Sequence, residues 1–195
     1  MPQTTRPAEP QTASVQILRI ELKTIIPTIW RQVAVPDSIS LDTLHRVIQT
    51  SMGWSDTHPH RFEIAGRHYR APVSGSHQDG SPVAEQGNAL VHVLQQHSTF
   101  HYVYDFGDNW EHLITLEKTL PAEACPALPY CIDGANACPP EDIGGAPGYG
   151  ECLAALTDPT HPEHGNMLEW FGESGFDPAA FDAVRVNRLL RQIGA

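Results

Sequence analysis

The sequence predicts an α+β fold, in which a curved antiparallel or mixed sheet of hairpins is flanked by helices and the C-terminal third is helical. Three observations lead to this prediction. In the first part of the chain, apolar residues alternate with polar ones, as they do in half-buried strands. The last third instead carries apolar residues at helical spacing. Seventeen prolines and fifteen glycines indicate many turns between short elements.

Period-two alternation predicts the first two strands. Leu18, Ile20 and Leu22 alternate with charged residues, which is the pattern of a strand with one buried face. Alternation resumes after Pro27 and ends before Pro36. We expect this second strand to pair back against the first.

A helix is predicted next. Ser38 or Ser40 can cap its first turn, and Gly53 marks its end, because serine favours the N-cap position and glycine the C-terminal stop. Its apolar face is expected to consist of Leu41, Leu44, Ile48 and Met52.

Two hairpins are predicted after this helix. The first pairs residues 62–64 with 67–70 across an Ala-Gly turn. The second is the clearest in the chain and pairs 100–104 with 110–117. Its turn, Asp105–Asn109, is rich in the Asp, Gly and Asn residues that tight turns require.

The remaining segments are predicted as one loop and several helices. Residues 71–88 are rich in Gly, Ser, Pro and Gln and indicate a long surface loop, and 89–95 a short helix. In the C-terminal third, one helix is expected around 149–156 and a second after Pro162. A terminal helix is expected to start at Asp177–Pro178, since a capping residue followed by proline is a common helix start.

The length and composition predict one domain with a short tail. Residues 1–14 are rich in Pro, Thr and Gln without periodicity, and we expect them to be disordered. Residues 15–195 are expected to form a single α+β domain, since a chain of 195 residues suffices for one buried core.

Charge and hydropathy exclude some functions and locations. The net charge is −11 with only 12 Lys and Arg, whereas nucleic-acid binders use a basic surface to neutralise phosphates. We therefore expect no nucleic-acid binding. No run approaches the roughly 18 apolar residues of a membrane span, and no secretory signal is evident. The four cysteines are expected to be reduced in a cytoplasm.

Two segments together resemble the signatures of a known family. Residues 104–112 read Tyr-Asp-Phe-Gly-Asp-Asn-Trp-Glu-His, and residues 131–145 read Cys-Ile-Asp-Gly-Ala-Asn-Ala-Cys-Pro-Pro-Glu-Asp-Ile-Gly-Gly. Both resemble motifs of the Ri-plasmid ORF-3-like family, and the resemblance extends over about residues 15 to 193. It implies an α+β fold, and the members of this family come from bacterial chromosomes, plasmids and archaea. Some members are called resolvases, a name that no activity supports.

The chain departs from the family pattern at two positions. Asn136 stands where family members often carry a basic residue, which would have favoured an anion. Ile143 stands where many members have a third cysteine. The resemblance therefore implies a weaker thiolate site in this chain.

The turn that starts at Asp105 has two interpretations. Functionally, its edge can gather hard-metal ligands or general bases from Asp105, Asp108, Glu111 and His112. Structurally, the aspartates accept hydrogen bonds from turn amides, while Gly107 supplies a positive φ and Trp110 packs in the core. The structural interpretation is the simpler one.

The cysteines and histidines offer a candidate metal site of irregular spacing. Cys131 and Cys138 are separated by six residues, more than the usual zinc knuckle allows, and the missing ligands would come from His112, His101 or the His161/His164 pair, of which His112 is the candidate we name. Burial of two free cysteines explains the same residues without a metal. Prolines interrupt the groups His58–His60 and His161–His164, which we interpret mostly as exposed loop residues.

The leading hypothesis for function is a non-catalytic binding or adaptor domain for an unknown protein or small molecule. Its candidate recognition surface consists of Asp105, Asp108, Trp110, His112, Glu141 and Asp142. This hypothesis needs no cofactor. The alternative is a metal-dependent hydrolase that uses the Asp105–His112 turn and the Cys131–Asp142 loop, with zinc or manganese as its candidate metal. A resolvase-like role in a mobile element is the third hypothesis, which the acidic charge disfavours.

Overall fold

The fold is α+β, as the sequence predicts. The structure is a computed structural model that describes residues 13–71, 82–125 and 127–193. Within these residues an eight-stranded mixed sheet is combined with five α-helices. All but the last two residues of the predicted tail lie outside the described residues, as does the segment 72–81 of the predicted loop.

The elements of the described part follow the chain in this order. The strands are β1 (Ser14–Leu22), β2 (Ile29–Pro36), β3 (His60–Ile64), β4 (Arg67–Arg70), β5 (Val83–Ala84), β6 (Thr99–Tyr104), β7 (Trp110–Pro121) and β8 (Tyr130–Ala135). The helices are α1 (Leu41–Met52), α2 (Leu90–Leu94), α3 (Gly145–Thr157), α4 (His164–Phe171) and α5 (Ala183–Leu190). The last three make the C-terminal third helical.

The sheet is built mainly from hairpins. Its strand order is β5-β4-β3-β6-β7-β1-β2-β8, and every pair is antiparallel except β4 with β5. Strand β1 pairs with β2 on one side and with β7 on the other. The three predicted hairpins are therefore present, and the first and third are joined side by side through β1.

Alternation along β1 places its apolar residues in the main core. Leu18, Ile20 and Leu22 are buried there together with apolar residues of β2, β6 and α1. Val15 and Ile17 belong to a second, smaller cluster with Ala34. The start of β1 is thus buried more extensively than a half-buried strand would be.

Helix α1 has the limits that the sequence predicts. It spans Leu41–Met52, and Gly53 ends it at φ 93°, a left-handed conformation that favours glycine. Ser40 occupies the N-cap without a side-chain capping bond. The buried face of α1 includes the polar residues His45 and Gln49 beside the apolar ones.

Helix α5 covers the outer edge of β8. The side chain of Asn187 accepts a hydrogen bond from the Cys131 backbone N–H (2.7 Å) and donates one to the Cys131 carbonyl (2.8 Å). One amide group therefore satisfies both backbone groups of an edge residue, as a neighbouring strand would.

Three expectations are wrong in detail. The predicted loop 71–88 contains strand β5 and, at its end, the buried Glu85. The cysteine-bearing segment starts as a strand, β8, which pairs with β2. Asp177 accepts a hydrogen bond from the Ala179 N–H in a turn, and α5 starts only at Ala183 with Asp182 as its N-cap. Local turn bonding thus competes with the expected helix start.

Among the described residues, we find no helix that combines the length and the apolar character needed to cross a membrane.

Candidate functional site

The acidic turn between β6 and β7 is held by its own carboxylate. Asp105 adopts a left-handed conformation with φ 54°. Its Oδ1 atom accepts hydrogen bonds from the backbone N–H groups of Gly107 (2.8 Å) and Asp108 (3.4 Å). The structural interpretation of the turn therefore holds for this oxygen, while Oδ2 is directed elsewhere. The expected positive φ at Gly107 is wrong, because Asp105 and Asn109 adopt the left-handed conformation in this turn instead.

The two predicted loops are in contact. The Asp108 carboxylate accepts a hydrogen bond from the Gly144 backbone N–H at 3.1 Å. A Cβ atom at Gly145 would lie only 2.5 Å from the Asp108 carbonyl oxygen, and Gly145 has a φ of 68°. Glycine is thus required there by both close approach and conformation.

Glu141 connects this contact to the segment after α1. Its carboxylate accepts hydrogen bonds from the Ser55 backbone N–H and from the hydroxyls of Thr57 and Tyr104. Burial opposes ionisation, but these bonds outweigh it and lower the pKa of Glu141. Burial, assisted by Glu141, raises the pKa of Tyr104 to about 12. Glu141 is thus a charged anchor for the loop.

A half-buried histidine lies between the two acidic loops. His58 Nδ1 is 3.7 Å from Asp105 Oδ2, and His58 Nε2 is 3.1 Å from Asp142 Oδ1. One possible ligand atom from each of these three residues lies within 4.8 Å of the others. Asp142 itself is exposed and has a φ of 60°. We call His58, Asp105 and Asp142 the loop cluster.

Two further histidines stack beside the loop cluster. The rings of His45 and His60 are parallel within 5°, with centroids 3.5 Å apart. His45 Nε2 lies 2.8 Å from Asp56 Oδ1, and His60 Nε2 lies 2.7 Å from Glu85 Oε2. Each buried imidazole thus has its own carboxylate. We call these four residues the stacked pair cluster.

A closed ring of hydrogen bonds fixes the tautomer of His45. Gln49 donates to the Tyr102 hydroxyl, which leaves this hydroxyl to donate to His45 Nδ1 at 2.8 Å. His45 then carries its proton on Nε2 and donates to Asp56, whose backbone N–H donates to Gln49. Burial, followed by the neighbouring His60, lowers the pKa of His45, although Asp56 opposes this.

One cleft joins the two clusters. Its volume is about 490 Å³. The lining residues include all four residues of the stacked pair cluster, His58 of the loop cluster and two arginines; they are Asp42, His45, Arg46, Asp56, His58, Pro59, His60, Arg70, Ala71, Glu85, Gln86 and Phe106. Titratable side chains from α1, β3 and the segment before α2 therefore face a common space.

Comparisons with known proteins identify the family. Residues 14–185 match the family described as plasmid pRiA4b ORF-3-like protein. The chain belongs to this family. The uncharacterized protein y4hQ of Sinorhizobium fredii is 37% identical over 185 residues, which are 94% of each chain. The crystal structure of the protein of unknown function MM3350 from Methanosarcina mazei Go1 superposes with a TM-score of 0.79 at 36% identity, covering 89% of this chain and 97% of that one.

In this plasmid pRiA4b ORF-3-like chain, two of the predicted binding residues lie in the core. Trp110 and His112 are both buried, and neither reaches the cleft. The rings of Trp54 and Tyr102 pack against His112. Desolvation by burial lowers the pKa of His112 to about 4, so its imidazole is neutral.

The predicted thiolate set does not come together. Among the described residues, the groups of three or more ligands within 4.8 Å include neither cysteine nor His112. Burial raises the pKa of Cys131 to about 11 and that of Cys138 further, although the nearby Arg31 opposes both shifts. Neutral buried thiols are poor metal ligands.

Sequence reasoning missed most residues of the two clusters in this family member. The interpretation of His58–His60 as exposed loop residues is wrong for His60, which starts β3 and is buried. A signal was present for His45, because it lies on the same helical face as Leu41, Leu44 and Ile48. No pattern in the sequence pointed to Glu85, since its segment has no periodicity.

Proposed function

We propose that this protein is a non-catalytic binding domain whose ligand is a divalent metal ion at the loop cluster. The observation that carries the proposal is the convergence of His58, Asp105 and Asp142, whose ligand atoms lie within 4.8 Å of one another. One imidazole and two carboxylates form a donor set suited to zinc or manganese. Two of these three residues belong to the recognition surface that the sequence predicts.

The loop cluster is favoured over the stacked pair cluster by geometry. A metal ion binds an imidazole nitrogen along its lone pair, in the plane of the ring. The rings of His45 and His60 are parallel and 3.5 Å apart, so their lone pairs do not converge on one point. Both rings also have carboxylate partners already. In the loop cluster the donors come from three different segments; Asp105 and Asp142 contact different nitrogens of His58, and one ligand atom from each residue lies within 4.8 Å of the others.

Hydrogen bonds support the donors of the loop cluster before any ion binds. Asp105 Oδ1 is engaged by turn amides, which directs Oδ2 towards His58. The hydrogen bond between Asp108 and Gly144 holds the loop that carries Glu141 and Asp142 against the turn that starts at Asp105. The hydrogen bond between Glu141 and Ser55 holds the same loop against the segment after α1. Such support keeps a site close to its binding geometry. In this proposal Asp108 and Glu141 position the loops, and the ion joins them into one recognition surface.

Zinc and manganese titrations test the proposal. We expect isothermal titration of the metal-free protein to show one equivalent of zinc or manganese. His58→Ala and Asp142→Asn are each expected to weaken binding at least about tenfold, since each removes one of three ligands. His97→Ala and Glu151→Gln, at exposed positions outside both clusters, are the matched controls and are expected to bind as the wild type does.

Two outcomes would contradict this proposal. The first is the absence of stoichiometric binding of either ion. The second is binding that His58→Ala and Asp142→Asn leave unchanged while His45→Ala abolishes it, which would move the ion to the stacked pair cluster.

A metal-dependent hydrolase is the second candidate function. The observation that favours it is the number of ligands, because catalytic zinc sites also use three protein ligands and keep a position open for water. Turnover of a phosphomonoester, ester or peptide would have to require the metal and to disappear in His58→Ala. Such turnover would replace the non-catalytic proposal with this one.

A further inference from the structure

A second, larger groove lies between α1 and α5. It has a volume of about 800 Å³. Its walls come from the C-terminal half of α1, the segment around Cys138, and α5 with the residues before it. Clefts of this size accommodate small organic ligands. Arg46 and Asp56 line both this groove and the histidine cleft, but no residue of the loop cluster lines it.

Three arginines line this groove in a strongly acidic protein. Arg31, Arg46 and Arg185 are a quarter of the 12 basic residues in a chain of net charge −11. Within the described residues, none of the three forms an ion pair with a carboxylate. Their charges are therefore left to solvent or to a ligand.

The two carboxylates that line the groove have other partners. Asp56 Oδ1 accepts a hydrogen bond from His45 Nε2 at 2.8 Å. Asp182 Oδ1 accepts one from the Arg185 backbone N–H at 2.9 Å, as the N-cap of α5. These two acids thus serve the stacked pair cluster and a helix end, and they do not neutralise the arginine side chains.

Arg31 is a buried cation at the base of the groove. Only 2% of its surface is exposed. Its guanidinium donates to the backbone carbonyls of Ser51, Trp30, Ala135 and Asn136 and lies over the ring of Phe181. Carbonyl dipoles compensate a buried charge only in part, and buried charges are ordinarily paired with an opposite charge. The positive potential of Arg31 therefore extends into the groove.

A buried hydroxyl without a partner lies beside Arg31. Ser51 is 1% exposed, and its Oγ atom has no hydrogen-bond partner among the described residues. Buried polar atoms without partners are uncommon. Trp54 and Phe181 add aromatic surface to the groove, and Val186, Leu189 and Ile193 extend its apolar lining.

We propose that this groove binds a small anionic molecule with an apolar body. The anionic group is a phosphate, carboxylate or sulfonate, and it contacts Arg46 and Arg185. A planar guanidinium group can bind two oxygens of such a group at once. The potential of Arg31 supports it. The apolar body lies on Trp54 and Phe181.

Anilinonaphthalene sulfonate is a suitable probe, because it joins a sulfonate to an aromatic body and fluoresces in apolar surroundings. We expect one saturable site on the full-length protein. Arg46→Gln and Arg185→Gln are each expected to weaken binding about tenfold, the effect of one lost charged hydrogen bond. Arg67→Gln, at an exposed position on β4 outside the groove, is the matched control. Inorganic pyrophosphate is expected to displace the probe from the wild type.

The results separate an anion site from apolar adsorption. If both groove variants bind the probe as tightly as Arg67→Gln, or if pyrophosphate fails to displace it, the proposal is wrong. Thermal unfolding of each variant verifies that it is folded.

Discussion

Burial determines the chemistry of His112. Its surface is 0% exposed, and its Nδ1 atom lies 3.3 Å from the Tyr102 carbonyl. Its Nε2 atom has no partner among the described residues. Because a charged imidazole is poorly solvated there, burial lowers the pKa of His112 from 6.5 to about 4. The folded protein therefore holds a neutral ring over a pH range in which the unfolded chain takes up a proton.

We expect His112 to make stability depend on pH. Between pH 6.5 and pH 4 the unfolded state binds more protons at His112 than the folded state does. The contribution of His112 to the free energy of unfolding is therefore fully retained above pH 6.5 and decreases as the pH falls towards 4. The loss is roughly 3 kcal/mol. Urea unfolding at pH 7 and pH 4 measures it, and His112→Asn, which cannot titrate, is the comparison. Equal losses in both proteins would show that another group is responsible.

Single residues of the site differ in how far sequence could predict them. The hydrogen bonds of Asp105 Oδ1 were predictable, because an aspartate that bonds amides two and three residues ahead is a local arrangement. The contact of Asp105 Oδ2 with His58 was not, because it joins residues 47 positions apart in sequence through folding alone. His112 was assigned to the binding surface because a strand pattern does not tell which of two faces is solvated.

At the scale of elements, α3 is seated on the turn between β6 and β7. The Asp108 carboxylate accepts a hydrogen bond from the backbone N–H of Gly144, just before the first turn of α3. The Asp108 carbonyl then leaves no room for a side chain at Gly145. The position of α3, and with it that of Asp142, therefore depends on one glycine.

We expect Gly145→Ala to destabilise the protein by about 2 kcal/mol or more. The added methyl group would both approach the Asp108 carbonyl to 2.5 Å and occupy a positive φ. Gly150→Ala, within α3 and with open space around it, is the control. It is expected to stabilise by roughly 0.5–1 kcal/mol, because alanine favours helices. Chemical denaturation of both variants measures the difference, and equal effects would contradict the role of Gly145.

The elements with strong periodicity were predictable. Helix α1 was predicted to its last residue, because a four-residue apolar stripe and a terminal glycine agree there. Strand β5 was not, since two residues pair in parallel with β4 only after distant segments meet. The predicted start of α5 was wrong because Asp177 and Asp182 are both good N-cap residues, and only packing selects between them.

At the scale of the whole molecule, the sheet order brings distant segments together. Patterns in the sequence predict strands and hairpins, but the placement of β8 beside β2 and of β3 beside β6 depends on the assembled core. Both clefts are products of this order and draw residues from elements far apart in the chain. The outer edge of β8 is likewise protected by a residue distant in sequence, because the Asn187 side chain of α5 bonds the backbone of Cys131.

We expect Asn187→Leu to destabilise the protein and to promote self-association. The substitution leaves the backbone N–H and carbonyl of Cys131 without partners, which costs about 2 kcal/mol or more. The unpaired edge then becomes a template for another strand. Urea unfolding and size-exclusion chromatography measure the two effects. Asn166→Leu, at an exposed position on α4, is the control, and a monomeric Asn187→Leu of unchanged stability would contradict the role of the amide.

The central place of β1 affects how a nascent chain can fold. This strand is the first element of the described residues, yet one of its two neighbours is β7, which ends at Pro121. During synthesis β1 and β2 can form a hairpin early, but their other edge stays open until residue 121 has left the ribosome. Long-range pairing of this kind slows folding. The chain therefore passes through a period in which a strongly apolar strand is exposed, and chaperones have their clearest opportunity to bind it then.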